Sequence, residues 1–444
     1  MDFQVITSAI PVRNLDETLL QVAYTHKPAA YWIKQTDHDG VPGWYPNSEA
    51  MTRTWLKDCN LQSQCQKSDN LSEVDQALLY IIRKNRVDYA IPLAGYAEGL
   101  LKADGSRLLV TTSCTPTKAV EGEWGHLKTY LETLLGENVI DHQMGWWKWA
   151  RLNLMSRNSN LPGQVMVYVG APGIGKSFLQ KQLTTELLGG HASDPFRYMS
   201  GATSFNADLF KAEHLIIEDQ FSDTGGKGRR EFGAKIKELA VNAVQSCHGK
   251  GADAVTLKPK WRVSMSMNNE AENLRVLPPL DDSILDKIML IQCHQPRLPV
   301  DLSDTSQWSA WDKIVADELP ALAFAIDNFE VPKAIITARY GVKAWHDPKL
   351  VEMEREAGVE QQLLDIIIND LPSVFIGDAE WTGTSVELER ILLGGSMPSI
   401  SQSRKLLSWS GACGTYLGRM SKTHPTRLTR RRVKGVTQWR INLK

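Results

Sequence analysis

No stretch of the 444 residues approaches the roughly 18 to 20 consecutive apolar positions that a membrane-spanning helix needs. The opening segment, MDFQVITSAIPVRNLDETLL, lacks a basic stretch followed by an apolar one, so no secretory or transit signal is expected and a cytoplasmic location is. Cysteine is sparse: Cys59, Cys65, Cys114, Cys247, Cys293 and Cys413 form no CxxC pair, which argues against a disulfide framework and a clustered zinc site. The adjacent pairs Cys247-His248 and Cys293-His294 have no second pair at ligand spacing. There is no internal repeat and no low-complexity tract. With 42% apolar and 23% charged residues, the chain is expected to fold as an ordinary globular protein of two to four domains rather than remain disordered.

Net charge is also nearly absent, at −1, but the balance is uneven. From Arg419 to Lys444 there are nine basic residues and no acidic one, so the rest of the chain carries −10. An acidic body with one basic end is the pattern expected when a single surface meets a polyanion.

Residues 1–90 mix aromatics and turn signals and then give a helical pattern over Val74–Asn85; an N-terminal α+β region of unassigned role is expected. Asp37 and Asp39 sit beside Gly40 and read as turn chemistry rather than as a catalytic pair. Residues 91–160 are expected to form a helical collar or linker, with RLLVTT (107–112) as a strand and helices over 124–153, and the cluster Trp146, Trp147, Trp149 to be core packing. Over 161–335, the buried-strand runs VMVYV, HLIIE, RVSMSMN and KIMLIQC alternate with helical patterns at 176–188 and 229–244, predicting a doubly wound parallel sheet. Residues 345–444 read as another unit. Candidate helices at 350–369, 385–393, 401–407 and 413–422 precede two short strands joined at Lys434-Gly435, the order of a winged helix.

The chemistry centres on Gly170-Ala171-Pro172-Gly173-Ile174-Gly175-Lys176-Ser177, a complete G-x-x-x-x-G-K-S loop with a strand before it and a helix, beginning with Lys176, Ser177 and Phe178, after it. Its glycines let backbone N–H groups face phosphates, and the helix adds its positive end. Lys176 is expected to reach the β and γ oxygens of ATP, and Ser177 to bind Mg²⁺. The run His214–Asp219 supplies the partner strand, with Glu218 and Asp219 as candidates for holding the metal and polarising the attacking water. Asn268, at the end of RVSMSMN and 92 residues beyond Lys176, is placed to sense the γ-phosphate.

This order of phosphate loop, paired acids and strand-end Asn resembles the superfamily 3 helicases, AAA+-like motors of viral, phage and plasmid replication. The segments Leu93-Ala-Gly-Tyr96, NNEAENLRVLPPLDDSILDK and RKLLSWSGACGTYLGRM are similar to the helicase half of phage and prophage primase-helicase proteins, which also end in a winged helix. The resemblance covers about residues 91–444. It implies a P-loop, AAA+-like fold and an ATP- and Mg²⁺-dependent DNA helicase that forms a homo-oligomeric ring, a hexamer, in a bacterial host cell. It further implies single-stranded or forked DNA as partner and a separate primase, since no primase motif is visible. Two departures stand out. The family's usual acid order is Asp-Glu, whereas Glu218-Asp219 is reversed, leaving open which acid does which task. An Asp-Asp-Arg-Arg segment is replaced by Asp281-Asp282-Ser283-Ile284, so an arginine completing a neighbour's site must come from elsewhere, with Arg275 preferred over Lys287 and Arg339.

Motors of this family grip the strand with a hairpin just before the sensor strand. Cys247–Trp261 has that form, and His248, Lys250, Lys258 and Lys260 are its candidate backbone contacts. In the C-terminal unit the candidates are Thr415, Tyr416, Arg419 and Lys422 on the helix, with Arg430, Arg431, Arg432 and Lys434 on the wing. Two other functions fit the same residues: an ATP-dependent initiator or loader, and a defence or regulatory NTPase without processive unwinding.

Overall fold

A computed structural model describes residues 19–65, 71–156, 161–218, 226–250, 253–274, 276–278, 280, 283–301, 304–375, 379–395, 397–433 and 435–443. Asp219, Arg275, Asp281, Asp282 and Lys434 lie outside the described residues.

The N-terminal region is α+β, as expected. Strands β1 (Val22–His26), β2 (Ala29–Thr36), β3 (Pro42–Asn47) and β4 (Arg86–Val87) form a sheet in the order β3-β2-β1-β4. Helices α1 (Glu49–Asp58) and α2 (Glu73–Lys84) accompany it. Ser48 and Ser72 cap the helices by accepting from the N–H groups of Met51 and Asp75, which fixes where each begins. Asp37 accepts from the N–H groups of Asp39 and Val41 and from the Tyr45 hydroxyl, confirming a turn.

Residues 91–160 are not helical throughout. A small sheet comes first, from β5 (Tyr89–Ile91), β6 (Gly99–Ala103) and β7 (Ser106–Val110) in the order β5-β7-β6. The run RLLVTT falls on β7 as expected, and tertiary pairing decides the rest of this segment: Leu108 and Val110 join the core of the main sheet. Only then come α3 (Gly125–Leu135) and α4 (Glu137–Met155). Trp146 and Trp147 of α4 are buried and donate to the Gln164 carbonyl and the Thr184 hydroxyl, so they are core residues. Trp149 packs over Gly341, whose φ of +75° and missing Cβ leave room for the indole.

The main sheet consists of β8 (Val165–Val169), β9 (Ala192–Ser193), β10 (His214–Glu218), β13 (Arg262–Met267) and β14 (Ile288–Gln292), in the order β14-β8-β13-β10-β9 and parallel throughout. Counted within the sheet, this is 5-1-4-3-2. Alternation along β8 sends Val165, Val167 and Val169 into one core and Met166 and Tyr168 into the other. Helix α5 follows β8, running Lys176–Phe178, a π-helical stretch Leu179–Thr185 and Glu186–Leu188. With α3, α4 and α7 (Trp308–Asn328) it covers the Met166 face. Helix α6 (Gly226–Val241) and the hairpin β11 (Gln245–Cys247) and β12 (Val255–Leu257) lie against the opposite face. A short hairpin, β15 (Ile336–Thr337) and β16 (Gly341–Val342), closes this region.

The helix expected at 350–369 is two, α8 (Pro348–Ala357) and α9 (Val359–Val374), separated at Gly358, whose extended backbone (φ −60°, ψ 149°) interrupts the helix. Then follow β17 (Glu380–Gly383), α10 (Ser385–Leu392), α11 (Ile400–Leu406), α12 (Ala412–Thr423), β18 (Leu428–Val433) and β19 (Val436–Asn442). The strands pair in the order β17-β19-β18, and Leu363, Ile367, Trp381, Leu388, Leu417 and Ile441 share one core. Among the described residues, no helix is long and apolar enough to cross a membrane.

Candidate nucleotide site and nucleic-acid interface

Parallel strands bring their C-terminal ends to one edge, and three of the expected motifs meet there. The register pairs Met267 of β13 with Val169 of β8, so Asn268 emerges beside Gly170. It pairs Glu218 of β10 with Ser266 of β13, so the acid-bearing strand ends one strand further along. In the loop between β8 and α5, Gly173 and Gly175 have φ of +77° and +97°, and a Cβ on Gly170 would meet the Ile174 side chain at 2.6 Å and the Cys293 carbonyl at 2.8 Å. The glycines are therefore needed where they stand.

Lys176 is 7% exposed and donates to the carbonyls of Gly170 and Ala171, both at 2.8 Å, and to Asn268 Oδ1 at 3.3 Å. Ser177 is exposed at the start of α5. Glu218 is half-buried and pairs at 3.0 Å with Lys181, one turn of α5 beyond Ser177. Phe178 stacks edge-on against Tyr130 and lies 5.6 Å from the Trp311 ring, and it lines a cavity of roughly 580 Å³ with Gln182, Glu186, Trp308 and Asp312. Sequence reasoning missed Tyr130, whose hydroxyl donates to the Gly175 carbonyl at 2.9 Å and braces the loop from α3. It also missed His214, which is fully buried and bridges Thr185 of α5 (2.8 Å) and Ser264 of β13 (2.7 Å). Burial pushes the His214 imidazole down to about 3, so it stays neutral while tying α5 to the sheet.

The residues fit a Mg²⁺-nucleotide: a backbone cradle that only glycines can form, a buried ammonium with its donors turned into it, and a strand-end amide within reach. The metal would supply charge neutralisation at the phosphate oxygens, and Ser177 and Glu218 are the described residues that would hold it.

On the interface side, the hairpin β11–β12 leads into β13. Lys250 is exposed in its turn, His248 is partly exposed, and Lys258 is exposed just after β12. The hairpin is braced from two directions. The Asn206 amide donates to the Ser246 carbonyl and accepts from the His248 N–H. The Tyr96 hydroxyl donates to the Lys258 carbonyl and accepts from its N–H. Lys260 corrects the sequence reading: it is 3% exposed and donates to the carbonyls of Asn153 (3.1 Å) and Ser156 (2.6 Å). Burial pushes its ammonium down to about 8, and it packs inside the fold instead of presenting a charge to a phosphate.

One more expectation is corrected in the C-terminal unit: Tyr416 is 2% exposed because it faces the core side of α12. Arg419 donates from Nη1 to Glu360 of α9 at 2.8 Å and keeps about a third of its side chain exposed. Lys422, Arg430, Arg431 and Arg432 are exposed. Of the candidates for a site-completing cation, Lys287 and Arg339 both pair with Asp286, at 2.5 Å and 3.4 Å, and Arg339 keeps about half its side chain exposed.

No protein-family model and no curated protein matches this chain. Among solved structures, an A-form apo structure of the NrS-1 C-terminal region is similar at 12% identity and a TM-score of 0.50, over 95% of this chain and 96% of that one. Another apo structure of that region (residues 305–718) gives 13% identity and a TM-score of 0.50, over 97% and 100%. The chain has the fold of that region, and coverage of this extent takes in residues before 91, which the sequence resemblance did not reach. A structure of the JCV helicase is similar over 52% of this chain and 62% of that one at 15% identity, with a TM-score of 0.27, too loose to bear on the fold.

Proposed function

We propose that the chain is an ATP- and Mg²⁺-dependent DNA helicase or translocase of the superfamily 3 type, acting in the replication of a phage or other mobile element. It works as a homo-oligomeric ring, a hexamer, on single-stranded or forked DNA, with a separate primase as partner and the C-terminal unit as a winged helix contacting the DNA.

One observation supports this reading above the others. Strand β13 joins the lysine-bearing hairpin at its N-terminal end to Asn268 at its C-terminal end, and Asn268 touches Lys176. Six residues of strand span about 20 Å and are buried throughout, so β13 is a stiff link between the phosphate site and the hairpin. In the proposed cycle Lys176 clamps the phosphates and Asn268 follows the terminal one. Glu218 and Asp219 divide metal holding and water activation, and an arginine from the adjacent subunit, Arg275 or Arg339, completes the site. His248, Lys250 and Lys258 carry the strand by its phosphates, without reading sequence.

The test is steady-state ATP hydrolysis by wild type and Lys250→Ala, with and without single-stranded DNA, at two salt concentrations. DNA stimulation that weakens with salt and disappears in the variant supports a DNA-coupled motor. Hydrolysis indifferent to DNA in both proteins overturns it.

A further inference from the structure

We infer that the C-terminal unit takes hold of nucleic-acid phosphates on the solvent face of its sheet, in a cradle of Thr382, Arg440 and Thr429 with Arg431 and Gln438 beside it. The inference rests on the reading of this unit as a DNA contact and adds to Arg431 of the wing four residues the motif did not indicate, Thr382, Thr429, Gln438 and Arg440.

Helix α12 is poorly equipped to read bases. Ala412, Cys413, Tyr416, Leu417 and Met420 are buried. Its Arg419 donates from Nη1 to Glu360, and Thr415 spends its hydroxyl on the Gly411 carbonyl. The other positions that reach solvent are Gly414, Gly418, Ser421, Lys422 and Thr423, whose hydroxyl donates to the Met420 carbonyl. Base edges are read best by side chains with two donors or acceptors in a fixed fork, and among the described residues of α12 Arg419 alone has one, engaged through Nη1 with Glu360.

The sheet is different. β19 is its middle strand, with Trp439 and Ile441 in the core, so Gln438 and Arg440 face solvent. The register sets Arg440 opposite Thr382 on β17 and opposite Thr429 on β18, and sets Arg431 opposite Gln438. A guanidinium thus stands between two hydroxyls, one strand spacing on either side, with a second arginine and an amide in the next row. These residues line a concavity of roughly 350 Å³. Hydroxyls, amides and arginines are the side chains that fix a phosphate backbone without specifying sequence. Glu380 belongs to the same face. It accepts from Arg440 Nε and Nη2, both at 2.7 Å, which holds the guanidinium flat while its Nη1 has no partner among the described residues. Glu380 therefore aims Arg440 and also competes with a phosphate for it.

That competition gives a test with opposite signs. Affinity of the full chain for two unrelated fluorescein-labelled duplexes is measured without nucleotide, as a function of salt. Arg431→Ala with Arg440→Ala is expected to weaken binding about tenfold or more at low salt and to reduce the log–log salt slope by about 2, since each phosphate left without its arginine lowers the slope by about one. Glu380→Gln is expected to strengthen binding about threefold, since rim charges act mainly through complementarity. Lys422→Ala is expected to stay within about twofold, with both sequences bound alike. If Glu380→Gln weakens binding as the arginine variants do, the Arg440–Glu380 pair only supports the fold and the inference falls. A weakening confined to Lys422→Ala, or preference for one duplex, returns the contact to α12. Absence of duplex binding by wild type overturns the inference while leaving the motor reading to its own ATPase assay.

Discussion

The Lys176 ammonium lies 3.3 Å from Asn268 Oδ1 while also capping the carbonyls of Gly170 and Ala171. Residues 92 positions apart are joined because β8 and β13 are adjacent parallel strands ending at the same level. The contact makes Asn268 a partner of the lysine before any phosphate arrives.

Lys176→Ala is expected to lower ATP turnover by at least about 100-fold, since it removes the principal charge on the transferring phosphate. Asn268→Ala is expected to lower kcat about tenfold or more with nucleotide affinity nearly unchanged, because an amide that follows the terminal phosphate acts mainly on the reacting state. Full ATPase activity in Lys176→Ala would show that this loop is not the site. Equilibrium nucleotide binding beside steady-state kinetics separates the two effects.

Tyr130→Phe tests the brace beneath the loop. Its hydroxyl donates to the Gly175 carbonyl, and burial raises its pKa well above the phenol range, so it remains a donor at any working pH. Losing one such bond is expected to cost about 0.5–1.5 kcal/mol in denaturant unfolding, and to raise the KM for ATP more than it changes kcat.

Much of this site was legible because its motifs are backbone-driven: the glycines, Lys176, Glu218 and Asn268 sit where strand ends must place them. Tyr130 and His214 were not legible, because a lone tyrosine on an amphipathic helix and a histidine at a strand start carry no pattern; only tertiary packing aims them at α5 and its loop. Lys260 misled for a related reason. A lysine following a hairpin reads as exposed, and nothing in the local sequence reveals that the carbonyls of Asn153 and Ser156 wait for it. Strand β7 was legible in the run RLLVTT, whereas β5, β6 and β17 were missed because runs of three to five residues lack enough period to be distinguished.

His214 sets a pH dependence. Its folded pKa, about 3, lies below the ordinary histidine value, so between those two values the unfolded chain binds a proton that the native chain does not. Stability is fully present above the unfolded pKa of about 6.5 and falls as the pH drops toward 3, by up to about 1.4 kcal/mol per pH unit from this group. Burial depresses His142 and His346 in the same direction, so the total slope is not His214's alone. Urea unfolding of wild type and His214→Gln across about pH 5 to 7.5 isolates it. The variant is expected to be less stable at neutral pH, yet to lose less on acidification, and parallel curves would contradict the assignment.

Of the three lysines in the hairpin segment, Lys250 and Lys260 should separate stability from function. Lys250 is exposed in the turn, so Lys250→Ala is expected to change unfolding free energy by no more than about 0.5 kcal/mol while removing DNA-stimulated ATPase. Lys260 holds the carbonyls of Asn153 and Ser156 inside the fold, so Lys260→Ala leaves both without that donor. A cost of about 1–3 kcal/mol is expected, with stimulation by DNA retained under conditions where the protein stays folded. Thermal unfolding and ATPase assays on both variants decide between this arrangement and the one in which every lysine of the segment grips the strand. Equal loss of stimulation in the two variants, with Lys260→Ala as stable as wild type, would return Lys260 to the interface.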